Sequence, residues 1–206
     1  MRSSTIAYYT THWEELVRRY ESADVSNLHT LLKSSFLPGS RLLELGCGSG
    51  RDAAFMLANG FDVIATDGVR QMIDAAAICH PEIAGQLRLI CLPKDLMCLP
   101  RHFDGIYSIA TFMHLPRRAI HEVFLKIFHL VRPCGRIFFS VPLNRNDVQA
   151  DEFDVKGRRF TVMNREEWFD ICRNNGFDII NSTVSRDGLG RDDIAWINCL
   201  LERREK

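Results

Sequence analysis

The chain has 206 residues, 46% of them hydrophobic and 25% charged, which suits one domain around one sizeable core. Its 26 Lys and Arg balance 26 Asp and Glu, so neither nucleic acid nor a membrane is expected as a partner through broad electrostatic attraction. Seven scattered cysteines, without a C-x-x-C pair, argue against a disulfide framework or a zinc site. They read as buried reduced thiols of a cytoplasmic protein, with Cys91 and Cys199 inside apolar runs. Met1–Thr11 lacks the apolar stretch of a secretory signal, and no run is long enough to span a bilayer.

Thr11-His12-Trp13-Glu14 is a capping-box pattern that starts a helix with Trp13, Leu16, Val17 and Tyr20 on one face. A second helix begins at Ser26 or Asn27, turns Leu28, Leu31, Leu32 and Phe36 inward, and stops at Pro38-Gly39. Leu42–Leu45 is a short apolar strand. Gly46, Gly48 and Gly50 follow at every second position, and Ala53–Ala58 restarts as a helix that ends at Asn59-Gly60. A strand that breaks into glycines and re-forms as a helix is a nucleotide-binding turn. The missing side chains let a ligand lie against the backbone, and the helix N-terminus presents unpaired N–H groups to an anionic group. Phe61–Asp67 is the second strand. Asp67 ends it about 20 residues past the first glycine, the spacing of a ribose-binding acid. The competing role for Asp67 is N-cap of the helix that carries Met72, Ile73, Ala76 and Ala77.

The turn reads E-x-G-x-G-x-G, from Glu44 to Gly50, where a dinucleotide turn would be G-x-G-x-x-G. This pattern resembles motif I of the class I S-adenosylmethionine-dependent methyltransferases, in particular small-molecule enzymes of the tellurite-resistance type. The resemblance runs from about Arg41 to the C-terminus. It implies an α/β, Rossmann-like, doubly wound sheet of seven strands, mostly parallel with an antiparallel C-terminal hairpin strand and helices on both faces. It also implies S-adenosyl-L-methionine as cofactor, held by Glu44, Gly46, Cys47, Gly48 and Gly50 at the turn and by Asp67, Gly68 and Met72 beyond the second strand. The two N-terminal helices, residues 1–38, would cap a cofactor-binding core of residues 39–206 within a single domain and help shape an acceptor pocket. Tyr8 and Tyr9 then either wall that pocket or only pack the helix onto the sheet.

Gln86–Leu92 reads as the third strand, followed by Lys94-Asp95-Leu96. The resemblance places adenine against Asp95 and the Leu96 backbone; the alternative is a polar turn residue and a core leucine. Phe103–Thr111 reads as the fourth strand, with Ala110 and Thr111 at its carboxyl end, where ligand crevices open in doubly wound sheets. His114 follows, either a general base or an ordinary loop residue before Pro116, and the loop reading is the simpler. Ile120, Val123, Phe124, Ile127 and Val131 give the next helix its buried face, while His121 and His129 lack a third ligand at metal spacing. No metal site is expected. The segment from Arg132 through the fifth strand, Ile137–Pro142, resembles the family's R-P-G-G turn, with Cys134 in place of a glycine.

Asn144–Arg159 is polar and without periodicity and reads as a long loop. Its Arg145, Arg158 and Arg159 read as solvated charges, with anion binding as the other possibility. Asn164-Arg165-Glu166-Glu167 caps a helix with Trp168, Ile171 and Cys172 inward, ending at Asn175-Gly176. Phe177–Ser185 and Ile194–Leu201 form the terminal hairpin.

Methyl transfer to a small-molecule acceptor, by a monomer or homodimer, is the expected function. A non-catalytic cofactor-binding or partner protein would keep the same turn with a closed acceptor pocket. An NAD-linked oxidoreductase would need the third glycine one residue later. Neither an Asp/Asn-Pro-Pro-Tyr string nor a Pro-Cys nucleophile motif stands directly after the fourth strand, so base methylation is not indicated.

Overall fold

A computed structural model of the chain describes residues 4–148, 152–191 and 193–205. Seven strands form one sheet: β1 (Arg41–Leu45), β2 (Asp62–Asp67), β3 (Leu87–Leu89), β4 (Phe103–Ile109), β5 (Val131–Pro142), β6 (Phe177–Arg186) and β7 (Ala195–Arg203). Their spatial order is β3-β2-β1-β4-β5-β7-β6. The first five pair in parallel, and β7 enters antiparallel between β5 and β6. The strand order reverses between β1 and β4, so their carboxyl ends open a crevice at that point.

Alternation along β1 shows how the sequence makes two layers. Leu43 and Leu45 face one core with Ile106 of β4, Phe139 of β5 and Ile197 of β7. Helices α5 (Arg117–Leu130) and α6 (Arg165–Asn174) close it, with Trp168 fully buried. Leu42 faces the opposite core, together with Val63, Ala65 and Tyr107. Helices α2 (Ser26–Ser34), α3 (Arg51–Ala58) and α4 (Arg70–Cys79) cover that side through Leu32, Ala53, Met56 and Ala76. Helix α1 (Ser4–Glu21) packs on α4 through Tyr8, Leu16, Val17, Met72 and Ala75. The capping box at Asn164 and Glu167 forms as predicted, each side chain taking the other's backbone N–H at 3.0 and 2.8 Å.

Several predicted boundaries move. The first helix begins at Ser4, and the Thr11–Glu14 pattern marks a kink instead of a start. His12 leaves helical geometry there (φ −110°, ψ 19°), Thr11 Oγ1 donates to the Ala7 carbonyl, and the His12 ring stacks on Tyr8. Tyr8 and Tyr9 therefore lie within a helix and not before it. The third strand is only Leu87–Leu89, because Ile90–Pro93 leave the ladder for the crevice. The cysteines also divide differently: Cys47, Cys172 and Cys199 are buried, Cys91 is half-buried, and Cys79, Cys98 and Cys134 are exposed, all as free thiols.

Cys134 has φ +57°, the left-handed conformation that glycine adopts without strain, at a turn where β5 bulges against β4. Its exposed thiol donates to the Glu205 carboxylate, at 3.2 Å. Relief of about 1–2 kcal/mol of backbone strain makes Cys134→Gly stabilising. The expected result in a thermal scan is a midpoint raised by about 2–4 °C.

Candidate functional site

Two cavities meet at the switch point. The inner one, about 400 Å³, lies over the carboxyl ends of β1, β2 and β4. Gly46, Cys47, Gly48 and Ser49 form one wall, Asp67, Gly68 and Val69 another, and Ile90–Pro93 a third. Ala110, Thr111 and His114 close the side toward β4.

The turn is held by its own backbone. Gly46 and Cys47 both donate to the Thr66 carbonyl at 2.8 Å, and Gly48 donates to Asp67 Oδ2 at 3.0 Å. Gly46 has φ +81°, and a Cβ there would stand 2.1 Å from Thr111 Oγ1, so only glycine fits. Gly50 (φ +85°) is the N-cap of α3, and no side chain caps that helix end. At the tip of β4, Ala110 is held at φ +55°, strained backbone of the kind that clusters at functional sites.

Asp67 lies between the turn and the start of α4. Its Oδ1 accepts from Val69 N–H at 2.9 Å. Val69, not Asp67, is the N-cap of α4. Burial raises the carboxyl from 3.8 to about 6, against the lowering effect of the Val69, Gly48 and Gly68 N–H groups. The folded chain therefore holds this proton more tightly than the unfolded chain. Stability from this group is lost as pH rises from about 4 to about 6. A ligand hydroxyl donating to the ionised carboxylate reverses the effect, so ligand affinity should fall on acidification, by about tenfold between pH 7 and pH 5. Titration calorimetry with S-adenosylhomocysteine across that range checks it.

Five residues expected at the site stand outside the cavity wall. Glu44 is buried on the α2/α3 side of β1, where it accepts from Tyr107 Oη at 3.3 Å. Burial, with Asp52 nearby, pushes its carboxyl well up. Gly50 shapes the turn: a Cβ would meet Ile83 at 2.7 Å. Met72 packs under α1. Asp95 turns Oδ2 back onto Cys91 N–H at 3.1 Å, which folds the 91–95 loop, and Leu96 is fully buried in the core. Conversely, Ile90–Pro93, Val69 and Arg51 line the cavity without having been singled out. Arg51 joins the layers: it bonds Asp52 and donates to the Tyr20 carbonyl. Burial alone would raise Asp52, but its bonds from His29 and Arg51 outweigh this and hold it low.

The outer cavity, about 470 Å³, lies between α1, α2, the β6–β7 hairpin and the side chains of Arg145, Arg158 and Phe160. Tyr9, Tyr20, Arg51, Ile109, Ala110 and His114 line both cavities and mark the junction. A chain of hydrogen bonds runs through it. Tyr20 Oη donates to Tyr9 Oη at 3.0 Å, and Tyr9 Oη lies 3.1 Å from His114 Nε2. His114 Nδ1 lies 2.7 Å from the Arg159 carbonyl. A carbonyl only accepts, so Nδ1 carries the hydrogen and Nε2 accepts from Tyr9. Burial lowers the imidazole to about 4, so it is neutral at pH 7. Burial also raises Tyr9 well above the ordinary phenol range.

Arg145 and Arg158 are not solvated, contrary to the sequence reading, whereas Arg159 is partly exposed. The Arg145 side chain is 3% exposed, stacked 3.9 Å above Phe160 and paired with Asp147. Arg158 donates Nη2 and Nε to the one buried oxygen Asp154 Oδ2, at 2.5 and 2.8 Å. Arg159 pairs with Glu152. Such charges are removed from water only with a partner in place.

The profile of a family described as a methyltransferase domain matches residues 13–182. The chain belongs to the class I S-adenosylmethionine-dependent methyltransferases. A ubiquinone biosynthesis O-methyltransferase of Xylella fastidiosa is 31% identical over 137 residues, which is 66% of this chain and 54% of that protein. The chain thus spans about half the length of the curated relatives it matches. Among solved structures, the Burkholderia thailandensis 1,6-didemethyltoxoflavin-N1-methyltransferase, bound to 1,6-didemethyltoxoflavin and S-adenosylhomocysteine, superposes with a TM-score of 0.80. It is 18% identical, with 98% of this chain and 88% of that one covered. A TehB-like enzyme of Corynebacterium glutamicum superposes at 0.67 with 16% identity, covering 94% and 99%. At such identities the likeness shows the fold. No helix among the described residues is long and apolar enough to cross a membrane.

Proposed function

We propose that the protein transfers a methyl group from S-adenosyl-L-methionine to a small-molecule acceptor held in the outer cavity. The carrying observation is the junction: a glycine turn with an acceptor-only carboxylate on one side, and a half-buried Tyr20–Tyr9–His114 hydrogen-bond chain on the other. The inner cavity fits the cofactor by its donor set. Bare backbone at Gly46–Ser49 admits close approach, and Asp67 takes both ribose hydroxyl protons. The uncapped start of α3, with Arg51, would hold the carboxylate end of the methionine part. Gly68, Val69 and Ile90–Pro93 would enclose the adenine, with Asp95 holding that loop in shape. When bound, the cofactor supplies an electrophilic methyl on a sulfonium.

The chain's own residues then orient the acceptor and exclude water, effects that can contribute about 7–11 kcal/mol. An acceptor that must release a proton gives it to Tyr9 Oη, while the Tyr9 proton moves to His114 Nε2 and Nδ1–H stays on the Arg159 carbonyl. His114 thereby takes a base role that the loop reading of the sequence had set aside. Incubation with methyl-labelled cofactor and a panel of phenols, amines and thiols tests the proposal. Acceptor-dependent release of S-adenosylhomocysteine is expected. Tight cofactor binding with no turnover across the panel would favour a silent binder, and binding of NAD in its place would overturn the reading.

A further inference from the structure

The outer cavity carries more information than its position. Its walls are rings: Tyr9, Tyr20, His114, Phe160 and Trp196. Each is fixed before any ligand arrives. Tyr20 and Tyr9 hold each other and His114. Trp196 Nε1 donates to Asp187 at 2.9 Å, and Phe160, 1% exposed, lies under the Arg145 guanidinium. The rings meet edge-on, His114 against Tyr9 at 70° and against Phe160 at 61°, and make a fixed, largely aromatic wall with little ordering cost on binding.

The charges are sorted with equal clarity. Arg51, Arg145, Arg158 and Arg191 are neutralised by Asp52, Asp147, Asp154 and Asp187 at 2.9, 2.5, 2.5 and 2.7 Å. The remaining acid of the wall, Asp24, is occupied by the Ser26 N–H and hydroxyl. The exposed Arg186 of this wall has no acid partner among the described residues, and neither has Arg19. Its guanidinium lies 5.7 Å from the Tyr20 ring centre, and its Nε is buried without an acceptor. On the sheet side, Asn198 is 3% exposed and donates Nδ2 to Ser185 Oγ, while its Oδ1 is buried with no partner. Exchanging the two amide atoms only changes which one is left unmatched. Buried polar atoms are almost always paired, so the unmatched Nε of Arg19 and the half-satisfied amide of Asn198 on the same cavity point to a ligand that pairs with both side chains.

Resting on the methyl-transfer reading above, we infer that the acceptor is a planar, conjugated molecule bearing an anionic oxygen, which Arg19 binds while Asn198 takes a second polar atom of the same ring system. A cationic acceptor would meet Arg19 with like charge, and an aliphatic one would leave the ring walls unfilled.

The test uses the full chain saturated with S-adenosylhomocysteine, titrated with three probes: 3,4-dihydroxybenzoate, 3,4-dihydroxybenzylamine and cyclohexanecarboxylate. The planar anion should bind at least about tenfold more tightly than either of the others. Arg19→Gln should remove about tenfold of that affinity, with S-adenosylhomocysteine binding unchanged, and Arg19→Lys should keep most of it. Equal binding of the amine or of the cyclohexane acid, no binding of any probe, or full affinity in Arg19→Gln would overturn the inference. Failure of the chain to bind S-adenosylhomocysteine at all would instead overturn the methyl-transfer reading on which it rests.

Discussion

Asp67→Ala is expected to weaken S-adenosylhomocysteine binding by about 10–100-fold, the equivalent of losing one charge-assisted pair of hydrogen bonds, about 1.5–3 kcal/mol. Two effects act together. The ribose hydroxyls lose their shared acceptor, and Gly48 N–H and Val69 N–H lose the carboxylate that ties the turn to the start of α4. The fold itself should survive, because removing a carboxylate whose proton affinity burial has raised also removes a desolvation cost. Asp67→Asn keeps one acceptor oxygen and should fall between the two. A melting scan with ligand reads the difference directly: the wild-type midpoint rises with ligand concentration by mass action, and the variant's rises far less at the same concentrations. Unchanged far-UV circular dichroism would confirm that the variant is folded. An equal ligand-induced shift in both proteins would remove Asp67 from the site.

Tyr9→Phe should lower the turnover rate by about 10²–10⁴-fold for an acceptor that loses a proton, with cofactor affinity nearly unchanged. The phenyl ring keeps the wall but breaks the path between the acceptor and His114 Nε2. His114→Ala should do the same and also release the Arg159 carbonyl from its Nδ1–H partner. The pH profile adds a signature that loss of packing would not produce. His114 titrates at about 4 and is neutral across the working range, so the rate at saturating cofactor should be flat from pH 5 to pH 8. The acidic limb should instead appear in the cofactor's KM, below about pH 6, where Asp67 is protonated and cannot accept from ribose. Rapid-quench single turnovers of both variants would separate the chemical step from binding. A normal single-turnover rate in Tyr9→Phe would end the relay argument.

The parts that could be read from sequence were those set by local pattern. The glycine spacing, the acid closing the second strand and the Asn164–Glu167 box each depend on a few neighbouring residues. These appear where expected, and the short apolar strand at Leu42–Leu45 forms too, its alternation sending Leu42 and Leu43 to opposite faces. What stayed hidden depends on which segments meet in space. Tyr9 and Tyr20 are 11 residues apart, three turns of helix, which is a readable signal for a shared side; a predicted start at Thr11 separated them. Arg145 and Arg158 lie in a stretch whose composition suggests solvent, yet Asp147 and Asp154 neutralise them and Phe160 supplies a flat base. Asp95 carries the family's expected residue type, but a bond to Cys91 N–H turns it away from the cavity, and the adjoining Ile90–Pro93 form the wall in its place. Glu44, also predicted at the ligand, follows Leu42 onto the far face of β1, as strand alternation requires.

The central claim is that the Gly46–Ser49 turn and Asp67 hold the adenosyl group so that its sulfur faces the Tyr9–His114 junction. A crystal structure of the complex with S-adenosylhomocysteine measures this most directly. The account predicts both ribose hydroxyls within hydrogen-bonding distance of the Asp67 carboxylate, adenine between Val69 and Ile90–Pro93, and the thioether sulfur opening toward Tyr9 Oη and the outer cavity. A ribose bound away from Asp67, or a sulfur pointing away from that junction, would contradict it.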